Sequence, residues 1–206
     1  MLDGSTPWEI DEAMEMFGCA AGPFEMQDVT GLDVIHDPMR RREILQDRTG
    51  KCGAIAKRML ELGKLGRKTG AGWYRYPGGG GKVDDPIVAD LAIEEAYFAK
   101  ITRREFTTRD IQDRMLAAMV NAACGILSNG GAVSADDIDL ITVAKFGFPR
   151  WRGGLMTYAD TIGADVVLDR INRLAAHDPD AWKISPLLKQ CGSHRVTFTK
   201  FSGAQS

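Results

Sequence analysis

Apolar residues recur every three or four positions along most of the chain, the period of a helix lying against a core. Ile10, Ala13, Met14 and Phe17 form the first such stripe. Thr6, Pro7 and Glu9 precede it as a capping box with proline at the first helical position. The threonine hydroxyl accepts the backbone N–H three residues on, and the glutamate returns the bond. Gly18 is placed to end this helix. A second helix is predicted over Thr30–Gln46, with Leu32, Ile35, Met39 and Ile44 as core positions and Pro38 bending it. A third is predicted over Cys52–Gly63, where Ile55, Met59, Leu60 and Leu62 are apolar. Beyond these the pattern predicts helices over Ile87–Phe98, Thr107–Asn129, Ser134–Lys145, Thr161–Ala176 and Pro186–Cys191. In the longest, Thr107 and Asp110 fit a capping box, and Ile111, Met115, Met119, Ala122 and Ile126 make the stripe. Only Trp73–Tyr76 and Arg195–Phe201 read as extended, so the fold class is mainly α.

Pro77–Pro86 (PGGGGKVDDP) reads as the clearest linker, because four consecutive glycines cannot hold a helix. The chain also repeats itself. Thr6–Gly18 (TPWEIDEAMEMFG) followed by Gly22–Gly31 (GPFEMQDVTG) matches Ser134–Gly147 (SADDIDLITVAKFG) followed by Gly154–Gly163 (GLMTYADTIG). Both run through a hydroxyl cap, an acidic residue, Ile-Asp, an apolar stripe, Phe-Gly, and then Gly-x5-Asp-x2-Gly. Two tandem helical domains are therefore expected, residues 1–80 and 81–206. The second copy has a long helix before its capping box, where the first has only Met1–Ser5. A first copy without its leading helix implies the back part of a longer protein, with an apolar groove left bare. Self-association as a homo-oligomer follows, through that groove or by swapping the Pro77–Pro86 hinge.

Composition narrows the function. Lys plus Arg number 26 against 28 Asp plus Glu, a formal net charge of −2, which gives no overall electrostatic footprint for nucleic acid or an anionic membrane. No stretch reaches the roughly 18 apolar residues that span a bilayer, and no signal peptide is visible at the N-terminus. Cys19, Cys52, Cys124 and Cys191 are far apart. Reduced thiols in a cytoplasmic protein are the plain reading, and the spacing alone leaves two disulfides open. Arg40, Arg41, Arg42 and Arg48 cluster, but Asp33, Asp37, Glu43 and Asp47 interleave with them, which suits a solvated helix face more than a duplex-binding one.

Catalytic constellations are scarce. No G-x-G-x-x-G run follows a strand, as a dinucleotide-binding fold needs. Gly66-Arg67-Lys68-Thr69 departs from a phosphate loop because Arg67 interrupts its Gly-Lys-Ser/Thr. His36, His177 and His194 sit among polar residues and read as surface histidines. No triad, metal cluster or carboxylate pair stands out.

A family resemblance rests on residues in series. Phe17-Gly18, Gly22-Pro23-Phe24, Asp28-x2-Gly31-Leu32-Asp33 and Gly66-Arg67-Lys68-Thr69-Gly70-Ala71-Gly72-Trp73-Tyr74-Arg75-Tyr76 resemble the C-terminal part of NAD-dependent 3-hydroxyacyl-CoA dehydrogenases. Phe146-Gly147-Phe148-Pro149 and Arg152-Gly153-Gly154, leading to Tyr158-Ala159-Asp160, are similar to the second C-terminal repeat of the multifunctional fatty-acid-oxidation enzymes. The resemblance implies hydride transfer from the C3 carbinol of an acyl-CoA to NAD, in a cleft whose Rossmann half carries the catalytic His and Glu. Those residues, with the family's Ser and active-site Asn, would fall before Met1, so no catalytic residue is expected within this chain.

Carried over residue by residue, Lys68 matches the lysine of the Lys-Thr-Gly-x-Gly motif that reaches bound NAD; otherwise Gly70 and Gly72 simply form a tight turn. Gly22 and Pro23 lie where the acyl-pocket wall begins; otherwise they start a helix with proline at N1. A substrate-contacting Tyr known in some multifunctional enzymes aligns with Ala144, so no such role is carried there. Arg150 and Arg152 flank Trp151 and suit either a CoA phosphate or a solvated basic turn. The resulting expectation is the helical substrate-side and dimerisation part of a dehydrogenase oxidising (S)-3-hydroxyacyl-CoA to 3-oxoacyl-CoA in fatty-acid β-oxidation. It is cytoplasmic and inactive by itself, with NAD held mainly by a missing domain. The alternative is a stand-alone, non-catalytic helical interaction module.

Overall fold

The computed structural model describes residues 1–36, 53–179 and 182–200. The chain divides into two compact units, Met1–Met16 with Ala21–Thr108, and Phe17–Ala20 with Arg109–Ser206. Residues 81–108, counted with the second repeat on sequence, pack in the first unit. Among the described residues the structure is mainly helical, with one two-stranded sheet.

In the first unit α1 (Pro7–Phe17, its last residue counted with the second unit) begins at the expected capping box. Glu9 N–H donates to Thr6 Oγ1 at 3.3 Å, and Thr6 N–H donates to Glu9 Oε2 at 2.7 Å. The predicted Thr30–Gln46 helix does not form as one element. Instead α2 (Pro23–Thr30) ends at Gly31, and α3 (Leu32–Ile35) follows. Gly31 has φ +100° and ψ 127°, a backbone shape that side-chain-bearing residues rarely adopt, so it breaks the helix before any bend at Pro38. Pro38, Met39 and Ile44 lie outside the described residues.

After α4 (Ala54–Glu61) comes the hairpin of β1 (Tyr74–Arg75) and β2 (Val83–Asp84), with Tyr74 opposite Asp84 and Arg75 opposite Val83. The glycine run is therefore the end of a hairpin rather than a linker between domains. Its flexibility serves a chain reversal at Gly78 and Gly79, both at positive φ. Lys82 pins the hairpin down, reaching Glu15 (2.9 Å) on α1 and Glu25 (2.6 Å) on α2. Next, α5 (Pro86–Phe98) is capped by Asp85, which accepts from Ile87 N–H and pairs with Lys64. Leu32, Ile55, Met59, Trp73, Tyr74, Tyr76, Val88 and Leu91 form the core, and Met1 and Leu2 pack against it. Arg103 holds that N-terminal segment by donating to the carbonyls of Met1, Leu2 and Gly4.

The second unit carries α6 (Thr108–Ser128), α7 (Ala135–Lys145), α8 (Leu155–Ile162), α9 (Ala164–His177) and α10 (Pro186–His194). The α7 capping box joins Ser134 and Asp137. The predicted Thr161–Ala176 helix splits at Gly163 (φ +96°), and the sequence pattern missed α8 before it. The buried stripe of α6 is Ile111, Leu116, Ala117, Val120, Ala123, Cys124 and Leu127, while Ala122 and Ile126 face out. Ile111 is buried as expected and Met115 and Met119 are half-buried, so the spacing runs along the edge of the buried face and leaves it at Ala122. The predicted extended segment Arg195–Phe201 contains the 3-10 turn Phe198–Lys200 instead.

Candidate functional site

The resemblance singles out a lysine turn and a glycine-proline turn, both in the first unit. Their geometry is set by two buried aspartates. Asp11 lies on α1 and is 1% exposed. Its Oδ1 accepts from Phe24 N–H and its Oδ2 from Glu25 N–H, each at 2.8 Å, and Tyr74 Oη–H donates to Oδ2 at 2.9 Å. Those backbone groups belong to the first turn of α2, whose own cap residue, Gly22, offers no side chain. A carboxylate from the preceding helix thus satisfies orphan N–H groups and faces the positive end of the α2 dipole. Gly22 is required for this approach, because a Cβ there would lie 2.5 Å from Asp11 Cα.

Asp28, near the end of α2, does the same for the lysine turn. Trp73 N–H donates to its Oδ1 (2.8 Å), and Tyr74 N–H (2.9 Å) and Tyr76 Oη–H (3.0 Å) donate to its Oδ2. Gly72 and Gly66 press against it so closely that a Cβ would fall 2.0 Å from Asp28 Oδ1 and 2.4 Å from Asp28 O, respectively. Burial raises the pKa of both aspartates above the ordinary carboxylate value, with the donated hydrogen bonds opposing that rise. The hydroxyls of Tyr74 and Tyr76 are pushed up by burial and by the carboxylates they bond.

Lys68 stands on the 3-10 turn Arg67–Thr69, closed by Thr69 Oγ1 donating to Gly66 O and Ala71 O. It is about half exposed, and its Nζ donates to both oxygens of Asp33, at 2.6 and 2.7 Å. That bond holds the Asp33 carboxyl below the ordinary range. The structure does not bring Lys68 together with Gly22 and Pro23. They sit at opposite ends of α2, which has 8 residues and is about 12 Å long at roughly 1.5 Å per residue. Lys68 presents one cation that the Asp33 carboxylate already matches. Among the described residues no cluster of His, Cys, Asp or Glu is arranged to hold a metal, and no helix is long and apolar enough to cross a membrane.

The sequence reading named the Ile-Asp and Gly-x5-Asp-x2-Gly signatures but gave their aspartates no task. The second unit repeats the arrangement within itself. Asp139 accepts from Met156 N–H (2.5 Å) and Thr157 N–H (3.0 Å), at the start of α8, and Asp160 accepts from Phe198 N–H (2.6 Å) and Thr199 N–H (3.1 Å). Thr157 and Thr199 hydroxyls stand where Tyr74 and Tyr76 stand in the first unit. The signal for these clamps was the recurrence of each aspartate in both copies.

The family model of the 3-hydroxyacyl-CoA dehydrogenase C-terminal domain matches residues 1–76 and 111–200. The chain is 38% identical to a peroxisomal bifunctional enzyme of Danio rerio over 91% of its own length and 28% of that protein. Against the Homo sapiens peroxisomal bifunctional enzyme it is 32% identical, covering 89% of this chain and 27% of that one. It thus spans little more than a quarter of these relatives. Two solved structures share the fold. The dehydrogenase part of a multifunctional enzyme from C. elegans has TM-score 0.66 and 23% identity, covering 91% of this chain and 42% of that one. The Escherichia coli 3-hydroxybutyryl-CoA dehydrogenase has TM-score 0.69 and 17% identity, covering 93% and 55%. The peroxisomal names of these relatives overturn the expectation of a cytoplasmic location, which rested only on unpaired cysteines and a missing signal peptide. Motifs, helical fold and match agree: the chain belongs to the 3-hydroxyacyl-CoA dehydrogenase C-terminal domain family.

Proposed function

We propose that this chain is the helical, substrate-side portion of a 3-hydroxyacyl-CoA dehydrogenase that oxidises (S)-3-hydroxyacyl-CoA to 3-oxoacyl-CoA with NAD in fatty-acid β-oxidation, and that it is inactive alone. The observation that carries this reading is the family match over residues 1–76 and 111–200. In this reading NAD is bound mainly by a Rossmann domain outside the chain. Lys68, held on a turn that Asp28 fixes, exchanges Asp33 for the cofactor, and Gly22-Pro23 borders the acyl group. The paired clamps, Asp11 with Asp28 and Asp139 with Asp160, support two tandem copies of one helical domain. Ile87, Ile93, Tyr97 and Phe98 are exposed on α5 and support self-association with a second copy through that face.

The test is NADH formation from 3-hydroxybutyryl-CoA, measured with the chain alone and with it fused into the Danio rerio bifunctional enzyme in place of the matching segment. Turnover by the fusion alone supports the proposal. Turnover by the isolated chain would place the active site within these residues. A folded fusion without turnover would favour a stand-alone interaction module instead.

A further inference from the structure

We propose that Arg152, in the second unit, is the anchoring cation of a phosphate-monoester site. Its guanidinium is stacked between two rings, 4.1 Å from the centroid of Phe17 and 4.0 Å from that of Trp151, with Tyr158 at 5.4 Å. Phe17, Phe148 and Tyr158 are themselves in edge-to-face or tilted contact, so the wall behind the cation is rigid. Aromatic faces hold the planar group in one orientation without neutralising its charge.

The donors are under-used. Nη2 makes one long bond, 3.4 Å, to Phe17 O. Nε is enclosed and has no acceptor. Among the described residues no carboxylate forms an ion pair with Arg152. A guanidinium without a counter-ion keeps a charge that an external anion can neutralise. With Nε covered, the edge formed by Nη1 and Nη2 is the one left to an incoming oxyanion, and this fork matches two phosphate oxygens. Arg150 lies on the same 3-10 turn and is exposed, adding a second positive charge. Trp151, between them, is 73% exposed. A flat apolar ring open to solvent beside a phosphate-binding cation suits a nucleotide, whose base can stack while its phosphate pairs. The phosphate is therefore either free or carried on a nucleotide such as the phosphorylated end of coenzyme A. The site does not depend on the dehydrogenase reading, because it is tested by binding.

The experiment is NMR titration of the full 206-residue chain, following the Trp151 indole N–H and the Arg152 Nε–H. Inorganic phosphate, adenosine 3′,5′-bisphosphate and adenosine are the three probes. Saturable shifts with the bisphosphate are expected, and saturation by phosphate as well assigns the affinity to the phosphate alone. Adenosine should leave the Arg152 signal unmoved. Arg152→Lys, which keeps the charge but loses the fork, should weaken binding about tenfold or more. Arg150→Gln, at an exposed position, should weaken it less and serves as the second variant if Arg152→Lys does not fold. Absence of saturation with either phosphate probe, or unchanged affinity in both variants, would overturn the proposal.

Discussion

Lys68 Nζ lies 2.6 and 2.7 Å from the two carboxylate oxygens of Asp33. Both side chains are half exposed, and Gly31 keeps the space beside them open, since a Cβ there would fall 3.0 Å from Nζ. Because the Asp33 carboxyl is held below its ordinary value chiefly by this bond, Lys68→Met should return it to the ordinary carboxylate range. The Asp33 folded-state pKa is depressed, so its contribution is present above the unfolded value and lost as pH falls through the folded one. An NMR titration of the Asp33 carboxyl carbon measures this. The variant's melting temperature near neutral pH should hardly change, because an exposed pair is screened by water. A large drop there would mean that Lys68 supports the turn itself.

Asp28 should behave differently, because its partners are inside. Asparagine has one acceptor oxygen, so Asp28→Asn turns an amide N–H2 toward Trp73 N–H or toward Tyr74 N–H and Tyr76 Oη. Leaving a buried donor without an acceptor costs about 1–3 kcal/mol, so a loss of that size in unfolding free energy is expected, read by urea denaturation. Burial raises this carboxyl's pKa. A raised folded-state value makes ionisation harder in the native protein, so the aspartate's contribution is greatest below the unfolded pKa and declines as pH rises through the folded one. The penalty of Asp28→Asn should therefore be larger at mildly acidic pH than at neutrality.

The helical fold and the caps at Thr6 and Ser134 were legible because both are local, fixed by residues three apart. Family membership was legible because glycines, aspartates and aromatics occur in series. The break at Gly31 was hidden because the apolar spacing is counted only from Leu32, just beyond it, while nothing short-range marks φ +100°. The PGGGG segment misled because a glycine run means flexibility in either setting. Its place in a hairpin depends on Lys82 reaching Glu15, 67 residues away in sequence. Lys68 was found by motif, but its partner Asp33 lies 35 residues distant, beyond the reach of a local pattern.

The thiols give a chemical test of the second unit. Cys124 and Cys191 are buried and Cys19 is half-buried, all three as free thiols, while Cys52 lies outside the described residues. Burial is the main cause that pushes the Cys124 thiol up to about 12, and it also raises Cys191 and Cys19. Since the thiolate is the reacting species, iodoacetamide at mildly alkaline pH should leave Cys124 and Cys191 unmodified in the native protein and modify both in urea. Peptide mass spectrometry reads each site. Rapid native modification of Cys124 would show that α6 opens far more readily than its packing implies.

Gly22 and Gly154 allow the two clamps to be compared directly. A Cβ at Gly22 would lie 2.1 Å from Asp11 Cγ and 2.5 Å from Asp11 Cα; at Gly154 it would lie 2.4 Å from Asp139 Cβ. Backbone on the Asp11 side cannot turn away as a side chain can. Gly22 has φ −74°, open to any residue, so Gly22→Ala isolates the steric cost, and overpacking of this kind costs about 1–3 kcal/mol. Gly154, at φ +118°, adds backbone strain to the same collision, so Gly154→Ala should be the worse of the two by about 1 kcal/mol or more. Gly125, inside α6, meets nothing within 4 Å, and Gly125→Ala should stabilise by about 0.5–1 kcal/mol through helix propensity alone. Chemical denaturation of the three variants yields the ranking. If Gly22→Ala and Gly154→Ala both matched the wild type, the close seating of Asp11 and Asp139 against the following helices would be wrong.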